Sequence, residues 1–223
     1  MCDSVFHCRT LCNGGVFVFS KEMKKAVDRV QQVIKTCNST ENIAIVVTDN
    51  ITKFNRYIEE LDPTDIVSAK RNIFNKMKEK WYWQKVTEYY PSLENLLSVL
   101  RENQRILANT QNTLDIKLKQ FEEVYNGVFK AMAVEYSGDK EYLQQVIVAE
   151  NTHTLLLQTI DEYKYLDKKV ESILSLSKPL LDTAMLIAKN TYKLKIQTEG
   201  TIEGIADMAV YLNNYTELKR VLV

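Results

Sequence analysis

Residues 92–138 read SLENLLSVLRENQRILANTQNTLDIKLKQFEEVYNGVFKAMAVEYSG. Every seventh position from Leu93 is apolar: Leu93, Leu100, Leu107, Leu114, Phe121 and Val128. A seam of that period is the face a long helix turns towards another helix. Pro91 precedes the stretch and Ser92 suits an N-cap. At the far end, Gly138 within Ser137-Gly138-Asp139 suits the left-handed residue that closes a helix. At 1.5 Å per residue the predicted helix is about 65 Å long. A helix of that length requires apolar partners along it, because propensity alone stabilises little.

The flanking sequence supplies such partners. From Asp139 to about Ser177, Tyr142, Val146, Ala149, His153, Leu156, Ile160, Tyr163, Leu166, Val170 and Ile173 form a second stripe in alternating steps of four and three. The tight connection at Ser137–Asp139 makes this helix the antiparallel neighbour of the first. Pro179, with Ser177 near its cap, suits the first turn of a last helix. That helix carries Leu180, Ala184, Ile187, Leu194, Ile202, Ala209, Leu212 and Leu218, and it either breaks at Gly200 and Gly204 or runs through them.

Upstream, Met23, Val27, Val30, Ile34 and Cys37 mark one shorter helix, and Ile43, Val47, Ile51, Phe54, Ile58 and Leu61 a second. A third runs from about Asp65 to Tyr90, with Ile66, Ile73, Phe74, Met77 and Trp81 facing inwards, and ends at Pro91. Residues 1–20 differ. Two β-prone runs flank Asn13-Gly14, a strong short hairpin signal, so 1–20 reads as a hairpin-like or frayed segment. The expectation is an all-α fold: an elongated antiparallel bundle with coiled-coil-like seams and a small β-prone N-terminal segment. Residues 21–223 then form one bundle, with shorter helices over 21–90 and three long ones over 92–223.

Composition bounds the function. With 45% apolar residues in 223, the chain buries a substantial core, and six Gly and three Pro disfavour a loop-rich fold. Lys+Arg and Asp+Glu are both 29, so only a local patch can attract a polyanion. No apolar run reaches membrane-span length and no leader pattern is evident. Cys2, Cys8, Cys12 and Cys37 read as thiols of a reducing compartment, which gives a cytoplasmic expectation. Richness in Lys, Asn, Ile and Tyr fits an AT-rich genome, such as many viruses and some bacteria have.

Several residues stand out as candidate contacts. The run Lys76–Lys85 holds both tryptophans among lysines. Trp81 shares the spacing of Phe74 and Met77, so it reads as core. Trp83 lies some 200° round the helix, so either the helix is buried on two sides or Trp83 faces a partner. Tyr82, Lys78, Lys80, Lys85 and, in the terminal segment, Phe17 complete the candidate contact set. Lys70, Arg71 and Lys76 would join Trp83 in stacking on single-stranded nucleic acid. Asn103 and Thr110 belong to a polar belt, with Gln104 and Asn109–Asn112, that thins the long helix to the seam at Leu107 and Leu114. Buried Asn in such a seam fixes register.

Metal and catalytic patterns are weak. Glu150 and His153 have Glu-x-x-His spacing, but a di-iron site needs two such motifs, and His7 is the other histidine. Counting back through the turn sets His153 opposite Glu122–Val124, which favours a hydrogen bond to Glu122 or Glu123. Cys2, His7, Cys8 and Cys12 have zinc-ligand chemistry without the paired knuckle spacing, so no metal or other cofactor is expected. The chain contains no phosphate loop, dinucleotide fingerprint or nucleophile elbow. The expectation is therefore a non-catalytic structural or scaffold protein, with no small-molecule substrate, that assembles with itself or other proteins. A membrane-associating helical protein is the second reading, and a single-stranded nucleic-acid binder using residues 65–90 the third.

Overall fold

The computed structural model describes residues 24–32, 35, 42–67, 73–126, 140–193 and 202–222. Among them the fold is an all-α bundle of five helices with no sheet. These are α1 (Ile43–Glu60), α2 (Thr64–Val67), α3 (Ile73–Val124), α4 (Lys140–Lys193) and α5 (Ile202–Leu222). Residues 24–32 are also helical. The hairpin expected at 1–20, the turn at Ser137–Gly138 and the break at Gly200 lie outside the described residues. Gly204 falls in the first turn of α5.

The largest departure from the sequence reading is at the prolines. Pro91 lies inside the 52-residue α3 and Pro179 inside the 54-residue α4. The two helices expected to meet at Pro91 are one, as are the two expected to meet at Pro179. Three similar long helices therefore become two very long ones and a shorter α5. An interior proline removes one helical hydrogen bond and costs about 3 kcal/mol. Two observations account for its tolerance. Pro91 and Pro179 are exposed, as are Thr87 and Ser175, whose carbonyls lose the N–H partner, so water can satisfy them. The seams also run through without a change of phase: Val86 and Leu93 are buried either side of Pro91, and Ile173 and Leu180 either side of Pro179. Each such side chain contributes roughly 1.5–3 kcal/mol on burial. Ser177, expected near a cap, is instead buried and donates to the Ile173 carbonyl at 2.5 Å.

The seam of α3 is longer than the sequence suggested. Val86, Leu93, Leu100, Leu107, Leu114 and Phe121 are all buried, and Trp83, Leu97 and Tyr125 fill the alternate positions. Between Leu100 and Leu114 the alternate positions are Gln104 and Gln111, both half-buried, so the polar belt does reduce the core there to Leu107. The described α-helical part runs to Val124, and residues 125–126 form a π-type turn; the expected end near Gly138 lies outside the described residues. The β-branched run Ile43–Val47 is helical, and α1 buries Val47, Ile51, Phe54 and Ile58 on one face.

The chain divides into two compact units, Met1–Asn42 with Ala108–Lys164 and Ile43–Leu107 with Tyr165–Val223. In the first, α3 and α4 run antiparallel. Glu122 meets His153, and three residues further along α3 Tyr125 meets Glu150, three residues back along α4. Residues 24–32 lie parallel to α4 on another side: Gln31 donates to Thr152 at 3.3 Å, and Tyr163 donates to Asn42 at 2.6 Å, both pairs 121 residues apart.

In the second unit α1 ends with no basic residue in its last turn. Other helices supply the cap. The Lys85 ammonium lies 3.1 Å from the Glu60 carbonyl and 3.1 Å from its carboxylate. The Tyr82 hydroxyl donates to the Leu61 carbonyl at 2.7 Å and the Tyr215 hydroxyl to the Ile58 carbonyl at 3.3 Å. Lys219 of α5 reaches Glu59 at 3.4 Å. The negative end of the α1 dipole is thus met by two lysines and two phenols from α3 and α5.

Candidate interaction surface

The continuity of α3 through Pro91 sets the phase of residues 73–90. Stepping back from Leu93 along the seam lands on Val86 and then Trp83, not on Trp81 or Met77. Trp83 is accordingly fully buried, at 0% exposure, whereas Trp81 is 61% exposed and Met77 47%. This overturns the core place expected for Trp81, and of the two alternatives for Trp83 it gives the buried one. Trp83 is a core residue, and Trp81 is the one at the surface. The side chains of Ile73 and Phe74 lie outside what the structure describes.

Trp83 sits in an aromatic cluster. Its ring meets Tyr82 and Tyr211 edge-on, with centroids 4.9 Å and 5.5 Å away. Tyr82 donates to Leu61, so the short hydroxyl contact between Tyr211 and Tyr82 has Tyr211 as donor. Burial, reinforced by the neighbouring phenols, pushes the Tyr82 hydroxyl far above its ordinary pKa. Burial also holds Tyr211 up at about 12 and raises Tyr215. These phenols are neutral, fixed donors that tie α5 to α1 and α3. The spacing Tyr211, Tyr215, Leu218, Leu222, in steps of four and three, signalled this buried face of α5. Of the residues expected on this face, Leu218 is buried, Leu212 is half-buried and Ala209 is exposed, while Tyr211 and Tyr215 were not among them.

Among the other candidates, Tyr82 is half-buried and used as a cap, and Lys85 is held by Glu60 and lies over the Tyr89 ring at 5.3 Å. Lys76, Lys78 and Lys80 are exposed, and none has an ion-pair partner among the described residues. Asn103 is buried with its amide nitrogen unpartnered, and Thr110 is half-buried. Phe17, Lys70, Arg71, Cys2, His7, Cys8 and Cys12 lie outside the described residues.

His153 is where the register argument put it. Its Nε2 lies 2.9 Å from the Glu122 carboxylate, and its ring is nearly parallel to those of Phe121 and Tyr125, with centroids 6.0 Å and 6.2 Å away. Glu150 accepts from the Tyr125 hydroxyl at 3.0 Å. Glu150 and His153 therefore engage different partners and do not converge on one ion. Among the described residues no group of three or more acidic, histidine or cysteine side chains is placed to hold a metal.

The N-terminal part of α4 carries a second apolar line that the sequence reading missed. The core stripe is Ala149, His153, Leu156, Ile160. One residue out of step with it run Leu143, Ile147, Glu150, Thr154, Leu157 and Asp161, again in steps of four and three. One residue is about 100° of rotation, so this line lies to one side of the core stripe, close enough for its Glu150 to meet Tyr125. Leu143, Ile147 and Leu157 on it are 37%, 56% and 39% exposed. Three of its six positions are apolar, so it offers a mixed face beside the core stripe. The signal was legible, but the stronger stripe beside it masked it.

A groove of about 320 Å³ between residues 24–31 and α4 is lined by Lys24, Val27, Asp28, Gln31, Gln144, Gln145 and Val148. Its mixed amide, charged and apolar lining presents no convergent reactive group. No described helix is long and apolar enough to cross a membrane. No protein-family model, curated protein or solved structure matches this chain.

Proposed function

We propose that this chain is a non-catalytic structural or scaffold protein that assembles, with itself or with other proteins, through helix-on-helix contacts. The observation that carries the reading is the second apolar line of α4. Leu143, Ile147 and Leu157 stand exposed in helical register along a helix whose other side is already packed. Isolated exposed apolar residues need no explanation, but three in register, interleaved with Glu150, Thr154 and Asp161, offer a partner helix apolar footing with polar groups between. The exposed Met77 and Trp81 add a second apolar spot on α3, of the residue types enriched in the cores of interfaces. The reading includes a reducing, cytoplasmic setting, which the four cysteines favour.

The membrane reading is weaker. The exposed line of α4 carries Glu150 and Asp161, which an anionic lipid surface repels. The nucleic-acid reading loses the stacking residue it relied on, because Trp83 is in the core, and it loses Lys85 to Glu60. Light scattering coupled to size exclusion tests the assembly reading. The expected result is a mass above that of one 25.9 kDa chain, rising with protein concentration across the micromolar range. A monodisperse monomer throughout, with no partner retained in pull-downs, overturns it.

A further inference from the structure

Charge is unevenly spread along this neutral chain. Across residues 70–85 the sequence holds six basic residues, Lys70, Arg71, Lys76, Lys78, Lys80 and Lys85, and one acid, Glu79. No stretch of that length elsewhere in the chain carries so large an excess of either sign. Lys70 and Arg71 lie outside the described residues, and Lys85 is held by Glu60. That leaves Lys76, Lys78 and Lys80, all exposed. Between them on α3 stand Met77 and Trp81, one turn apart on one face and 47% and 61% exposed. Lys76 and Lys80 flank that face on one side and Lys78 on the other. Glu79 is half-buried and some 200° round the helix from Trp81. Glu88, two turns further on, accepts from Gln84 and bounds the strip. The result is an open indole and thioether surface with cations along both edges.

We infer that this strip binds single-stranded nucleic acid. The inference is separate from the assembly reading, which the α4 line carries. Burial of Trp83 withdraws one stacking residue, and the same helical phase brings out Trp81 in its place. A single strand offers both things the strip can use. Its unpaired bases present faces on which an exposed indole stacks, and its phosphates run past lysines on either side. A duplex covers its base faces with neighbouring pairs and so engages the lysines alone. An acidic polypeptide does the same.

Fluorescence anisotropy on the full chain tests this, with a labelled oligothymidylate of about fifteen nucleotides, a length that fills a single-strand groove. A duplex of the same length and a polyglutamate peptide serve as competing probes. The oligothymidylate should bind with a slope of about −2 in log K against log salt, the value for three lysines neutralising phosphates of a single strand. Trp81→Ala should weaken binding about 5- to 150-fold, and Trp81→Phe should retain most of it because a stacking face remains. The K76Q/K78Q/K80Q variant should weaken binding and flatten the salt dependence. All these side chains are exposed, so circular dichroism should show unchanged helicity. The duplex and polyglutamate should bind more weakly and be indifferent to Trp81→Ala. Absence of oligothymidylate binding at low salt overturns the inference, as does binding that Trp81→Ala or the lysine variant leaves unaltered. Polyglutamate bound as tightly as the oligothymidylate overturns it in favour of an acidic protein partner. None of these outcomes bears on assembly, whose test is the mass of the natural chain.

Discussion

Trp81 and Trp83 are two residues apart and have opposite environments, so they report separately. Trp83→Ala removes a large, fully buried ring and should cost roughly 3–5 kcal/mol in urea denaturation. Trp81→Ala should change monomer stability by no more than about 0.5 kcal/mol. In the Trp81→Phe variant the remaining tryptophan should emit at short wavelength and resist acrylamide quenching. Titrating groups give a second residue-scale expectation. The hydroxyl and backbone N–H of Thr64 both donate to the Asp62 carboxylate, which lowers its pKa below the ordinary 3.8. Its contribution to stability is therefore present above pH 3.8 and lost as pH falls through the lower folded value. Tyr211 behaves in the opposite sense. Its folded pKa is raised by burial from 10 to about 12, so its contribution is complete below pH 10 and lost as pH rises through about 12. Urea midpoints measured against pH should fall at both extremes, and Asp62→Ala and Tyr211→Phe should each flatten the corresponding limb.

Elements in this protein are set by seams more than by local stop signals. Pro91 reads as a helix start because proline is favoured at the first helical position and disfavoured inside. Nothing near Pro91 distinguishes the two cases. What distinguishes them is that Val86 and Leu93 share one phase and are both buried. The cost of the lost hydrogen bond persists. Pro91→Ala should raise stability by on the order of 1–3 kcal/mol, partly offset by the greater freedom it gives the unfolded chain. A fall in the urea midpoint would show that the proline imposes a helix geometry the packing requires. Asn103 presents a similar cost within the seam. Its buried amide nitrogen lacks a partner, so Asn103→Leu should stabilise the fold by roughly 1 kcal/mol if no new clash arises.

For the molecule as a whole, α5 closes the second unit late in the sequence. Tyr211, Tyr215, Leu218 and Leu222 are buried, and Tyr215 and Lys219 complete the capping of α1. A chain ending after residue 193 should therefore lose hydrogen-exchange protection in the last turns of α1 and around Trp83. Unchanged protection there would mean that α5 is an accessory to that unit. The all-α class and the core faces of α1, α3 and α4 were readable from residue spacing, because helical periodicity is a local property of the chain. So was the pairing of His153 with Glu122, which follows from counting back through one antiparallel turn. The phase of residues 73–90, the passage of two helices through proline, the capping of α1 by Tyr82 and Lys85, and the second line on α4 depend on which face each helix offers its neighbours. That choice is made by burial summed over distant segments, and no short window of sequence contains the sum.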